Sequence, residues 1–455
     1  MIVESPLSKG MRHDVSHDGL FSDSGIRMRH VVTHTRPILP ADEYLASCMD
    51  TLTPGQLLAH RQCRRRLWLS WHQPALEDAP PWHQRRDSHA VQDAARRLYP
   101  EGSHVSSLTW PQSVRETTAA LGRRPRPILN AAVEASGLHA RVDLLLPLWR
   151  GHRLVKLTAR SQVDHVDLES LAIQTWAARQ AQWTVARNEV AHIDVHFLYP
   201  GKGDYRGLFV YQDVTRDVRA LEGDVPAWLH AARATLLGTE PELPPGPQCH
   251  SPEPCPFRSH CGSGPKATPP CNDGATQPPR RSQPRREFPA YFLTLATLAP
   301  AVPIWEGLPP YRHLPLLWSC QLASTKAELQ RKEFISDGST DTRRVFAYSL
   351  LQGIGNAGPV SVANEDFVRE RLQELAGDFP DLAPALSNVA DRLALCADAQ
   401  ARAAHERVLG EIQDTYARLI DTSVPEARRR ELRAALSGFA EKATLALALV
   451  GNTRR

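Results

Sequence analysis

ILNAAVEASGLHARVDLLLPLWRGHRLVKLTA, residues 128–159, reads as three extended segments separated by two turns. Gly137 marks the first turn and Trp149-Arg150-Gly151 the second, with branched and apolar residues recurring between them at strand spacing. Before this stretch, Thr53-Pro54-Gly55 is a helix start, with Thr as N-cap and Pro at the first helical position. The helix it opens carries Leu57, Leu58, Cys63, Leu67 and Trp68, and a second helix spans about 89–98. After the stretch, a helix over about 167–182 places Leu168, Leu171, Ala172 and Trp176 on one face. Alternation in IDVHFLY predicts a strand over 193–199, and LFVYQDV a further strand before a helix over about 215–238. Helix, three strands, helix, strand is an α/β unit with a mixed sheet covered by helices.

The whole chain has 455 residues, enough for two to four domains at about 100 to 200 residues each. Hydrophobic residues at 42% and charged residues at 23% exclude a wholly disordered or fibrous protein. With 54 Lys and Arg against 50 Asp and Glu, the net charge of +4 says little about polyanion binding, so local patches must carry that argument. No apolar run approaches the roughly 20 residues of a membrane span. The N-terminus has no apolar core of signal-peptide length. The expectation is a cytoplasmic protein without membrane association, whose eight cysteines stay reduced.

Residues 1–50 are polar and aperiodic, dotted with His13, His17, His30 and His34, and read as a disordered arm. The first α/β unit covers 51–262, and a Pro- and Arg-rich linker follows over 263–287. A second α/β unit occupies 288–396, opening at Tyr291-Phe292-Leu293. The helical segment 397–455, with helices over about 397–420 and 425–449, closes the chain.

The strongest local signal is CHSPEPCPFRSHC, which sets Cys249, Cys255 and Cys261 at C-x5-C-x5-C in a Pro-rich loop. Three cysteines so spaced in a loop can converge on one metal centre, and Cys63 in RQCRRRLWL is the best fourth ligand. The C-x2-C knuckles usual for structural zinc are missing. Four thiolates around one centre suit an iron–sulfur cluster, with zinc as the alternative and His250 or His260 as substitute ligands. Cys48, Cys271, Cys320 and Cys396 have no such spacing.

One cysteine in an N-terminal CRRRLWL helix and three more after an α/β core resemble the RecB-family nucleases that carry a [4Fe–4S] cluster. The resemblance implies a restriction-endonuclease-like domain of PD-(D/E)XK type whose two ends are pinned together by the cluster. In that type an acid on one strand and an acid-x-Lys on the next hold Mg²⁺ or Mn²⁺ and position the attacking water. RVDLLL supplies Asp143, and the family's helix glutamine is matched by Gln174 in LAIQTW. Lys156 falls in the position of the second acid and Thr158 in that of the lysine. A lysine there puts positive charge where the cation must sit. Rescue requires a migrated acid, for which Glu134 and Glu169 are nearest, and His89 is a further ligand position in some relatives.

The segment YFLTLATLAPAVPIWEGLPPYRHLPLLWS resembles the exonuclease-like domain of unknown function often fused behind RecB-type modules, itself similar to DnaQ-type exonucleases of the ribonuclease H fold. There an Asp-x-Glu on the first strand binds two metal ions. In this chain those positions are Thr294 and Ala296, and the later acids correspond to Val368 and Leu395. Phe292-Leu293, Pro303, Gly307, Pro310-Tyr311, Pro315 and Trp318-Ser319 keep the surrounding frame.

Arg64-Arg65-Arg66, Arg123-Arg124-Pro125-Arg126 and the linker arginines are patches suited to phosphates, and Trp68 and Trp71 are placed to stack on bases. Together these readings predict a catalytically impaired nuclease homologue that binds nucleic acid, DNA above all, or a protein partner. The alternative is an active metal-dependent nuclease using Asp143 with Glu134 or Glu169.

Overall fold

The computed structural model describes residues 51–78, 82–262, 288–324, 329–336, 338, 340–396, 398–419 and 426–453. The expected arm over 1–50 with its histidines and Cys48, and the linker over 263–287 with Cys271, lie outside the described residues. What is described is mixed α/β, built on two mixed sheets.

Thr53 caps α1 (Pro54–Gln62), its hydroxyl accepting from the Gln56 N–H while Gln56 reaches back to the Thr53 N–H in a capping box. The single helix expected through Cys63 is in fact two. Cys63 is extended (φ −161°, ψ 121°) and separates α1 from α2 (Arg64–His72). Then come α3 (Trp82–Leu98), the short β1 (Ser103–His104) and α4 (Trp110–Leu121). The three extended segments of the sequence are β2 (Ile128–Ala135), β3 (Leu138–Pro147) and β4 (His152–Leu157), an antiparallel meander.

Asp164 caps the next helix, α5 (His165–Gln180), which crosses the sheet and returns the chain as β5 (Val185–Ile193), parallel to β4. The strand expected over 193–199 therefore lies eight residues earlier, starting at Val185. Its polar residues disguise it: Asn188 and Glu189 are buried, Asn188 accepting from the Thr175 hydroxyl at 2.7 Å and Glu189 paired with Arg153 at 3.0 Å. Phe197 and Tyr199 alternate because they enter a core from a loop. β6 (Phe209–Asp213) completes the order β1-β2-β3-β4-β5-β6. The helix expected over 215–238 is interrupted at Gly223, giving α6 (Thr215–Glu222) and α7 (Val225–Leu237). Past the 3₁₀ turn Pro247–Cys249, the one-turn α8 (Arg258–Cys261) ends this half.

The second sheet is β7 (Ala290–Leu298), β8 (Leu314–Ala323), β9 (Leu329–Ile335), β10 (Val360–Val362) and β11 (Leu393–Leu395), in the order β11-β10-β7-β8-β9. β7, β8 and β9 form an antiparallel meander, and β10 and β11 add in parallel on the free side of β7. α9 (Arg343–Gly353), α10 (Glu365–Asp378) and α11 (Ala383–Asp391) cover one face through Phe346, Leu350, Leu372 and Leu386. The closing helices α12 (Ala399–Leu419) and α13 (Glu426–Thr453) cover the other through Ile412, Tyr416, Leu436 and Ala440. β7 is buried along its whole length between these layers.

The halves share a core. Ala301 and Val302, from the β7–β8 connection, are buried with Val91 and Ala95 of α3 and Leu144 and Val155 of the first sheet. Tyr199 and Leu308 are joined by a backbone bond of 3.1 Å, and the Tyr311 hydroxyl donates to the Ala159 carbonyl at 2.7 Å. Among the described residues no helix is long and apolar enough to cross a membrane.

Candidate functional site

Cys63, Cys249, Cys255 and Cys261, separated by up to almost 200 residues of chain, line one small pocket. The break between α1 and α2 is what turns Cys63 toward it, and it leaves this side chain at the N-terminal end of α2, where the helix dipole favours an anion. Cys249 ends the 3₁₀ turn, its carbonyl accepting from the Cys255 N–H at 2.9 Å, and Cys261 closes α8. Cys255 packs with Leu69 and Phe257 against Trp68. All four thiols are free of disulfides. Burial pushes the Cys255 and Cys261 thiols up, against the pull of Arg66 on the first and Arg65 on the second. The other three cysteines of the set add to the rise at Cys261. Among the described residues there is no group of three or more His, Cys, Asp or Glu side chains arranged to hold a metal ion. His250 and His260 do not line the pocket.

Protein contacts hold the two ends of this half together around the thiols. The Gln62 side-chain amide donates to the carbonyls of Gln248 (2.8 Å), Ser251 (3.3 Å) and Glu253 (2.7 Å), while its oxygen accepts from Arg66. The Trp68 indole donates to the Gly238 carbonyl at 3.0 Å, and Arg65 pairs with Glu240 at 2.6 Å. Nothing in the sequence around Gln62 signalled this clamp except its place next to Cys63.

The residues expected to form the first active site meet where β3 pairs with β4. Lys156 Nζ donates to Asp143 Oδ2 at 2.8 Å, and the Leu157 N–H donates to the same oxygen at 3.0 Å. Both side chains are shielded, with 24% and 14% exposure for Lys156 and Asp143. Burial works against the Lys156 charge, but Asp143, helped by Asp167, outweighs it and holds the ammonium above its ordinary range. A divalent cation at Asp143 would have to displace this ammonium, and the neighbouring ligand position offers a positive charge instead of a negative one. The residues present do not fit Mg²⁺ or Mn²⁺.

The other expected members are placed elsewhere. Glu134 pairs with His139 at 3.3 Å, four residues along β3 from Asp143, or about 13 Å at strand rise. Glu169 is buried on α5 and held by Arg61 at 2.7 Å, which ties α1 to α5. Gln174 is buried on α5, its amide donating to Ser170 at 3.4 Å. The Thr158 hydroxyl accepts from the Arg160 N–H at 3.3 Å, and His89 is exposed on α3. Asp167 is a buried acid that sequence reading passed over. Burial raises its carboxyl against the pull of Arg160, and it accepts from the Asp164 N–H at 3.2 Å. The D-x-x-D spacing over 164–167, a helix-start signature, was the available signal.

In the second half, Thr294 and Ala296 stand on β7 with no exposed surface. His405 of α12 lies against Thr294, Nε2 to Oγ1 at 3.1 Å, and burial lowers its pKa to about 4. Ala296 is packed with Tyr416 and Leu436. Val368 is buried on α10, and Leu395 ends β11 with 52% exposure. The face of β7 that carries these positions is therefore filled by α12 and α13.

Of the arginine patch beside Cys63, Arg65 and Arg66 turn to the cysteine pocket and Arg64 stays in solvent. Trp71 is packed in a core of α1, α5 and α7 residues. No curated protein matches the chain. Residues 291–412 match the family described as a domain of unknown function (DUF2779), a span that runs from the start of β7 into α12 and so takes in both Thr294 and the His405 that covers it.

Proposed function

We propose that the chain is a nucleic-acid-binding pseudo-nuclease: a RecB-like, restriction-endonuclease-like half stabilised by a [4Fe–4S] cluster, followed by a ribonuclease H-like half, neither of which cuts. The observation that carries it is the Lys156–Asp143 ion pair, which puts an ammonium where the resemblance requires a metal ion. The topologies support the two fold readings. A helix, an antiparallel meander, a crossover helix and a parallel fourth strand match the first. A meander extended by two parallel strands beside its first strand matches the second.

The cysteine pocket fits the cluster by its donor set: four thiols and no carboxylate line it. A single tetrahedral zinc with bonds of about 2.3 Å would need sulfurs roughly 3.8 Å apart. Regular C-x5-C-x5-C spacing without C-x2-C knuckles favours a polynuclear centre over that zinc. Arg65, Arg66 and Arg258 at the pocket offset the negative charge of a cluster held by four thiolates. Such a cluster would stiffen the junction that Gln62 already clamps.

The test is a cleavage assay on single-stranded and duplex DNA and on RNA with Mg²⁺ or Mn²⁺, using anaerobically purified protein beside Asp143→Ala. Expected is no cleavage by either protein together with binding at low salt. Cleavage that disappears in Asp143→Ala would restore a working metal site and overturn the proposal.

A further inference from the structure

The hairpin between β3 and β4 ends in a bare tryptophan. The Leu148 N–H donates to the Gly151 carbonyl at 2.9 Å, closing a four-residue turn with Trp149 and Arg150 at its apex. Trp149 is 96% exposed and Leu148 40%. A folded chain rarely leaves so large an aromatic in water, and no described element covers it. The turn is anchored from behind: the His152 N–H donates to the Thr184 carbonyl at 2.8 Å. Gly151 has φ +89°, and a Cβ there would run into the same carbonyl, so the turn is pressed against the start of β5.

Sheet register brings positive charge to the same end. Ile128 pairs with Leu145, which carries Arg126 to the level of Pro147, one residue before the turn. The loop holding Arg123, Arg124 and Arg126 therefore leaves the sheet at the same end as the Trp149 turn, and all three are exposed, as is Arg150. No ion pair of the described residues engages their guanidinium groups, in contrast to Arg61, Arg65 and Arg153. Parallel pairing of Ser103 with Ile128 brings the exposed Glu101 to this end as well, leaving the balance strongly positive.

We infer that this end of the first sheet is a binding site for a single-stranded nucleic acid, Trp149 stacking on an unpaired base and the four arginines holding phosphates on either side. A flat aromatic offers its face only to a base already out of a duplex, and guanidinium forks match phosphate oxygens. A membrane surface would ask for a broader apolar face than Trp149 and Leu148 provide. The site rests on the nucleic-acid reading above and adds its location and strand preference. It stands apart from the cysteine pocket: α5, with 16 residues and so about 24 Å long, separates the turn's anchor near Thr184 from the cysteine-loop side at Arg160 and Glu253.

Fluorescence anisotropy of the full-length, anaerobically purified protein with labelled 20-mer DNA and RNA, single-stranded and duplex, tests this across a salt series. Wild type should bind single strands more tightly than duplex. Trp149→Ala should weaken single-strand binding about 5- to 100-fold, with Trp149→Phe recovering part of it. The triple variant Arg123→Ala, Arg124→Ala, Arg126→Ala should lower the slope of log affinity on log salt by about 0.7 for each phosphate that is no longer neutralised. Single-strand binding that survives unchanged in both variants overturns the site and leaves the pseudo-nuclease reading standing. A wild type that binds no nucleic acid at low salt overturns both, and one that binds phosphatidylserine vesicles instead reassigns the tip to a lipid surface.

Discussion

Gln62 and Cys255 separate two ways of holding the same pocket. Gln62 supplies three hydrogen bonds to backbone carbonyls of the cysteine loop, whereas Cys255 supplies a thiol. Cys255→Ala should therefore lose iron and brown colour in anaerobic preparations, while Gln62→Ala should keep its iron and lose about 1 kcal/mol of stability, since one part-buried and two exposed carbonyls lose this donor. Iron content with the thermal midpoint of each variant reads both; iron retained by Cys255→Ala at the wild-type level removes Cys255 from the ligand set, and wild type without iron rejects the cluster. The four cysteines could be grouped from the sequence because three share a loop and regular spacing. Their partners could not, because Gln62, Arg65 and Glu240 meet only through tertiary contacts. The same limit hid the fate of Asp143: the resemblance puts a lysine in an acid position, but only strand pairing shows that this lysine takes the carboxylate for itself.

α12 makes a comparable substitution at the level of elements. A two-metal nuclease needs β7 open to solvent, yet here α12 and α13 are packed across it, and His405 completes the seal by bonding to Thr294. Because burial holds the pKa of His405 at about 4 against 6.5 for an open histidine, the unfolded chain takes up a proton first as pH falls. Stability is thus intact above about pH 6.5 and declines toward pH 4, by up to about 3 kcal/mol from this residue. His405→Gln, which keeps a group able to bond Thr294 but does not titrate, should flatten that decline. Urea midpoints of wild type and variant between pH 7 and 4 decide it, and parallel curves would mean that His405 charges without resistance.

Which elements were legible follows from the same physics. Half-buried and amphipathic elements such as β2, β3, α12 and α13 carry their period openly. β5 does not, because its buried Asn188 and Glu189 take their partners from α5 and β4 rather than from water. The break at Cys63 was hidden as well, since Arg64, Arg65 and Arg66 are good helix formers and only the pairing of α1 and α2 around the pocket demands a bend.

At the scale of the whole molecule, the sequence suggests two units on a string, whereas the structure gives them a common core. Ala301, Val302 and Tyr311 belong by chain order to the second half but are packed against α3 and the first sheet. The Tyr311 hydroxyl is bonded to the Ala159 carbonyl, and burial pushes its pKa well up, as expected for a phenol that stays neutral and donates. A tyrosine so placed can be used to ask whether the halves unfold together. Tyr311→Ala removes the hydrogen bond and the ring from the shared core and should cost about 2 to 4 kcal/mol. If the halves are coupled, native-state hydrogen exchange will rise by similar factors in β4 of the first sheet and β8 of the second, although the substitution lies in only one of them. If they are independent, exchange will rise in β8 alone and β4 will keep its protection. Coupling is the expected outcome, because the residues that would be exposed by separation are apolar on both sides: Val91, Ala94 and Ala95 on α3, Ala301 and Val302 opposite. Water would have to cover that surface in any separated state, and burying it again is what drives the halves back together.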